Sequence, residues 1–309
     1  MQNVTRRAAR LTLAALLGAA AAAHAVPMPA FEDPKLAEWA RLANAEMERY
    51  LANPQGYFAM PAQAGASCEL PPEVLSRIIG VRLPGVAMSE EERKVWARTT
   101  RGMPGMKPME YADVVVRPTK AECSDGKPAG SWAGWVEFTM VNNAPGMVIR
   151  TRMRKYIEVA VAPDGQRNGA VMERMTQISH TTDWADPATA DLMRKNPGPS
   201  ATSATFVYNE PGQHEATNKG LTLSRVFVSG SHGGADVTTT VTLPIGPKHF
   251  KTVMYNGTQK ANEFSYKDGR PHGLQVGYPY RTGMGIDVPA SSICWENGEQ
   301  IKTTQCNAN

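Results

Sequence analysis

From about residue 111 onward the chain alternates apolar and polar residues with a period of two, and tight-turn dipeptides interrupt the alternation. No other feature constrains the fold as strongly, because side chains along a strand point alternately to opposite faces. Val237, Val241 and Leu243 alternate with Thr238, Thr240 and Thr242. Between Ile149 and Val161, the residues Ile149, Met153, Ile157, Val159 and Val161 alternate with Arg150, Arg152, Arg154 and Glu158. From Trp132 to Val141, the residues Trp132, Val136, Phe138 and Met140 share one face, with Glu137 and Thr139 on the other. Asp164-Gly165, Asn168-Gly169, Asn256-Gly257, Asp268-Gly269 and Asn297-Gly298 supply the turns. Strands joined this tightly pair antiparallel, because a parallel crossover needs a longer connection.

Residues 26–110 carry helical signals instead. Asp33-Pro34 is an N-cap followed by a first-turn proline. Leu36, Trp39, Ala40, Ala43, Met47, Tyr50 and Leu51 then fall on one helical face, and Asn53-Pro54 ends the run. Ser89 with Glu92 forms a capping box for another helix. Between them lie a Pro/Gly/Ala-rich connection holding Cys68 and a short apolar segment, Val74 to Ile79. A further short helix is expected from Asp186-Pro187 to Lys195. The expected class is α+β: a helical N-terminal layer followed by a mainly antiparallel sheet or meander over 111–309.

Residues 1–25 read as a Sec-type signal peptide. Arg6, Arg7 and Arg10 precede a 13-residue apolar stretch from Leu11 to Ala23, too short to span a bilayer. Ala23-His24-Ala25 places cleavage after Ala25, and no cysteine follows for lipid attachment. A periplasmic or secreted location with no membrane span after cleavage is expected. Of 33 basic residues three lie in this segment, against 29 acidic residues in the whole chain, so the remainder is near neutral. It has no overall field to draw in nucleic acid.

The four cysteines, Cys68, Cys123, Cys294 and Cys306, then imply two disulfides. Proximity along the chain favours Cys68–Cys123 and Cys294–Cys306. A two-residue turn at Asn297-Gly298 sets Cys294 opposite Ile301, so the tail must fold back for Cys306 to reach it.

Tyr266-Lys267-Asp268-Gly269-Arg270-Pro271-His272-Gly273, followed by Tyr278, resembles the unit of MORN-type repeats and of the YwqK-like proteins built from them. Trp295-Glu296-Asn297-Gly298-Glu299-Gln300 and Tyr255-Asn256-Gly257 look like neighbouring units, so the resemblance covers residues 254–306 at irregular spacing. It implies β-hairpins in which the first glycine permits a left-handed turn and the second lets adjacent hairpins approach closely. It also implies a stacked-hairpin surface for partner contact and no catalytic residues.

Two constellations carry candidate chemistry. Met103, Met106 and Met109, in Met103-Pro104-Gly105-Met106-Lys107-Pro108-Met109, place three thioethers at spacing three. In an extended three-residue-per-turn helix they line one edge and suit Cu(I), the one cofactor the sequence suggests. As flexible fillers, the same residues can instead anchor the segment to the sheet. Arg150, Arg152 and Arg154 share a sheet face and can hold an anionic glycan or glycolipid, or form a solvated face balanced by Glu158 and Glu173.

No catalytic template is complete. His180, His214, His232, His249 and His272 form no HExxH or His-x-His motif. Asp183 near His180 lacks a placed nucleophile. Ser229-Gly230-Ser231-His232-Gly233-Gly234 is similar to a hydrolase oxyanion loop but has no following GxSxG. The expected function is an exported, disulfide-bonded, non-enzymatic binding module of the cell envelope, with an envelope protein or anionic glycan as partner. The alternatives are a periplasmic copper-handling protein and a hydrolase without a recognisable motif.

Overall fold

The structure is a computed structural model that describes residues 27–306, apart from 64, 66–67, 100–104, 126, 196–201, 211–219, 230–234 and 283–284. Residues 1–26, including the expected signal peptide, lie outside the described part.

Helix α1 (Pro34–Ala52) starts where Asp33 accepts hydrogen bonds from the Lys35 and Leu36 amides, both at 2.9 Å. It buries Leu36, Trp39, Ala40, Ala43, Met47 and Tyr50, the stripe expected from the sequence. A short turn of helix, α2 (Pro54–Tyr57), follows. The Val74 to Ile79 segment, expected only as a short apolar run, is the body of α3 (Pro72–Ile79). It is stopped by Gly80 in the left-handed conformation, at φ +63°. Helix α4 (Glu90–Thr99) opens on the Ser89–Glu92 capping box, with both reciprocal hydrogen bonds formed.

The strands are β1 (Glu110–Ser124), β2 (Lys127–Ala144), β3 (Met147–Val161) and β4 (Arg167–Trp184). Helix α5 (Pro187–Lys195) comes next, where its sequence signals set it. Then follow β5 (Thr202–Asn209), β6 (Thr222–Ser229), β7 (Ala235–Gly246), β8 (His249–Asn256), β9 (Gln259–Lys267) and β10 (Arg270–Gly277). The two-residue strands β11 (Tyr280–Arg281) and β12 (Asp287–Val288) pair only with each other, before β13 (Ser291–Glu296) and β14 (Glu299–Ile301). Apart from that ribbon, the strands among the described residues form one twelve-stranded antiparallel sheet whose spatial order is the chain order. The protein is therefore mostly a single antiparallel meander, as the turn spacing required.

The helices do not share one layer. Helix α3 packs Ile78 and Ile79 against Trp132, Val136, Phe138, Met153, Ile157 and Val159 on β2 and β3. Helix α1 packs against Phe206, Tyr208, Leu223, Phe227, Val241 and Val253 on β5 to β8. Register decides the faces. Trp135, Tyr156, Arg174, Phe206, Arg225, Thr239 and Tyr255 form one row of cross-strand partners from β2 to β8. That row lies on the α1 side, whereas Val136 and Lys155, one position along, lie on the α3 side. Each half of the sheet thus has its own core, on opposite faces.

Two disulfides close the fold with the expected pairing. Cys68–Cys123 ties the helical connection to β1, and Cys294–Cys306 ties the tail to β13. Cys294 faces Ile301 across the β13–β14 hairpin, and a 3-10 turn over Thr303–Gln305 brings Cys306 back. In the Tyr266 to Gly273 segment, Asp268 and Gly269 take the left-handed turn. Gly273 differs from its expected role: a Cβ there would meet nothing within 4 Å, and its φ of +78° is what calls for glycine. It sits in a register break between His272 and Val276, so it permits a bulge and no close hairpin approach.

Candidate functional site

The expected arginine row sits on β3, on the α1 side of the sheet. Arg154 is the cross-strand partner of Glu137 on β2, and Arg152 the partner of Thr139. Both arginines converge on Glu137. Arg152 Nε donates to Oε1 at 2.7 Å and Arg154 Nε to Oε2 at 2.7 Å, and Nη2 of each guanidinium donates to the same oxygen as its Nε, so each arginine takes one carboxylate oxygen. Arg154 Nη1 also donates to the Phe58 carbonyl at 2.8 Å, which fixes the loop after α2 above the row. Arg150 pairs with Asp183 on β4.

The balancing carboxylates are therefore Glu137 and Asp183. Of the two carboxylates expected for that role, Glu158 lies on the same face as the arginines, exposed and opposite Met172, whereas Glu173 is on the opposite face with Arg167 at 3.1 Å and Lys155 at 3.8 Å. Sequence reasoning placed Glu137 on the correct strand but could not link it to Arg152 and Arg154, because that link depends on β2–β3 register.

The charge arithmetic is uneven. Two guanidinium groups share the single carboxylate of Glu137, which leaves one positive charge in excess. The side chains of Arg150 and Arg152 are 46% and 54% exposed, against 25% for Arg154 and 10% for Glu137. The excess charge of the Glu137 cluster sits on exposed Arg152 and its carboxylate is buried, while Arg150 is matched by Asp183, itself 64% exposed. Burial pushes the Glu137 carboxyl up, but hydrogen bonds and charge from Arg154 and Arg152 outweigh it and hold it below the usual carboxylate range.

Beside the row the sheet is aromatic. Trp135 and Tyr156 are tilted together at 5.3 Å, and Arg174 lies over Tyr156 at 5.3 Å and over Tyr57 at 5.9 Å. Glu46 of α1 accepts from the Tyr57 hydroxyl and pairs with Arg174 at 3.3 Å and Arg49 at 3.0 Å. Desolvation and the hydrogen bond to Glu46 push the Tyr57 phenol far above its ordinary value. Burial, with Glu46 assisting, pushes Tyr208 up to about 12. These groups stay protonated near neutral pH and act as scaffold for the row. A cleft of about 260 Å³ opens nearby, lined by Trp39, Glu158, Met172 and Tyr208 among others.

The other expected residues are not gathered there. Met103 lies outside the described residues. Met106 and Met109 are half-buried in an extended segment docked on the β2–β3 end. There the Lys107 amide donates to Asn143 O at 3.2 Å and Arg82 donates to Met109 O at 2.6 Å. His180 contacts Thr151 and Thr182, while Asp183 is taken by Arg150, so the two do not form an acid–base pair. His214, His232 and residues 230–234 lie outside the described part. Among the described residues no three His, Cys, Asp or Glu side chains group to hold a metal, and no helix is long and apolar enough to cross a membrane. Comparison with known proteins gives no match, whether to family models, to curated sequences or to solved structures.

Proposed function

We propose that the protein is an exported, disulfide-stapled, non-enzymatic module that binds an anionic component of the cell envelope on the β3 arginine face. The reading rests on one observation: Arg152 and Arg154 share the single carboxylate of Glu137, so that cluster carries one positive charge in excess, and Arg152 is its exposed member. Planar guanidinium groups held in a fixed row suit the bidentate recognition of phosphate or carboxylate. Two disulfides agree with an oxidising compartment, and the arginine-rich leader of residues 1–25 supplies the route there. The hairpins over 254–306, which resemble MORN units at irregular spacing, offer a second contact surface for a protein partner.

The test is a direct titration with a phosphorylated glycolipid or an acidic glycan, comparing the wild-type chain with an Arg150→Gln/Arg152→Gln double variant. Arg154 is left intact because it also holds the Phe58 carbonyl. The wild type is expected to bind and the variant to lose at least tenfold in affinity. Equal affinity of the two proteins, or no binding by either, would remove the proposal.

A further inference from the structure

His249 opens β8 and His272 lies near the start of β10, with β9 between them. Register pairs His249 with Lys267 and His272 with Ser265, two residues apart on β9, so both imidazoles rise from the same sheet face. Their ring centroids are 5.9 Å apart, with planes at 84°. Nδ1 of His272 is buried and has no hydrogen-bond partner among the described residues. An orphaned ring nitrogen in a partly buried pair calls for an explanation, and a bound ion is one of the few that satisfy it. A cation held at about 2.1 Å by one nitrogen of each ring sets two imidazole centroids roughly 5 to 6 Å apart, close to the separation here.

We propose that His249 and His272 form a two-imidazole site for a borderline divalent transition-metal ion, with Cu(II) held more tightly than Ni(II) or Zn(II). Imidazole nitrogen suits all three ions, and the order follows their intrinsic affinity for nitrogen ligands. Water completes the coordination, since no third protein ligand joins the pair among the described residues. The surroundings tune the site. Burial, His272 and Lys267 hold the His249 imidazole below its ordinary range, with Asp268 opposing them. Lys267 and Arg270 face each other across the β9–β10 turn, and the Asp268 amide donates to the Lys248 carbonyl at 2.8 Å, which draws the two turns together. Lys251, on the same face, is engaged by Glu263. These cations weaken metal binding without abolishing it. The site is separate from the methionine segment, whose thioethers select Cu(I).

The experiment is titration of tag-free, oxidised protein with Cu(II) at about pH 7.5, without reductant, followed by electron paramagnetic resonance. One equivalent is expected to bind with nitrogen hyperfine structure, and binding should weaken in acid, where protons compete with the metal for its ligands. His249→Ala and His272→Ala should each reduce the affinity at least tenfold. His180→Ala and a Met103→Leu/Met106→Leu/Met109→Leu variant should bind as the wild type does. His249→Asn and His272→Asn repeat the test with polar side chains, and matching circular dichroism of the metal-free proteins separates lost ligands from lost fold. No saturable nitrogen-ligated Cu(II), or undiminished affinity in both histidine variants, would overturn the proposal.

Discussion

Glu137 and Lys155 lie on neighbouring strands but face opposite sides of the sheet, and burial has different consequences for each. Glu137 is nearly enclosed yet bonded to two guanidinium groups, so its carboxyl stays ionised. Replacing it with Gln leaves Arg154 partly buried without its counter-charge. Discounted for the exposure of Arg152, the cost is about 2 kcal/mol near neutral pH. Its pKa is depressed in the folded state, so this contribution is present above the unfolded value of about 4.3 and lost as pH falls through the folded value. Chemical denaturation of Glu137→Gln and wild type should therefore converge in acid.

Lys155 is 5% exposed, and burial lowers its pKa, with Glu173 opposing and Arg167 adding to the shift. The unfolded chain holds this proton more tightly, so wild-type stability should rise as pH climbs from the folded value towards about 10.4. Arg167 keeps Glu173 paired at 3.1 Å without Lys155. Lys155→Met is thus expected to be about 1 to 2 kcal/mol more stable than wild type at neutral pH, without that alkaline rise. Destabilisation of that size would show the buried ammonium to be a net asset. The alternation that put Lys155 opposite the arginines was legible in the sequence. The partners were not, because Glu137, Glu173 and Asp183 are selected by strand register and not by spacing along the chain.

The helices show which signals are local. The Asp33 cap and the apolar stripe of α1 lie within one continuous segment, so the sequence alone locates that helix. Helix α3 has eight residues and no side-chain N-cap, and its Pro71-Pro72 start and Gly80 stop resemble a loop. Its helical form depends on the β2–β3 face beneath Ile78 and Ile79. Gly80 makes that docking possible. A Cβ at this left-handed position would lie 2.6 Å from Arg167 Nη2, whose Nε donates to the Ile78 carbonyl at 3.0 Å. Gly80→Ala is expected to cost about 1 to 2 kcal/mol from backbone strain alone. Asp33→Ala, which removes only the α1 cap, should cost about 1 kcal/mol. Thermal unfolding of the two variants checks both values, and a neutral Gly80→Ala would contradict the close α3–Arg167 contact.

Across the whole molecule, the meander follows from the period-two runs and the turn dipeptides, because each strand of the large sheet pairs with the next one in sequence, save that β10 skips the β11–β12 ribbon to pair with β13. That α1 and α3 occupy opposite faces did not follow, since each helix has an apolar stripe that either face could accept. The meeting of His249 with His272 was equally hidden, as it needs the register of three strands. The staples act at this scale. Cys68–Cys123 spans 55 residues and Cys294–Cys306 spans 12, so loop-closure entropy assigns them about 4 and about 3 kcal/mol. Opening the first by paired Cys→Ser substitution should lower stability more than opening the second, as read by denaturant midpoints.

The central claim, an anion held by the arginine edge of the sheet, is tested most directly by binding to one envelope glycolipid with and without its phosphate groups across ionic strength. The account predicts binding to the phosphorylated form that weakens with added salt, and at least tenfold weaker binding once the phosphates are removed. Equal binding to both forms, insensitive to salt, would contradict it.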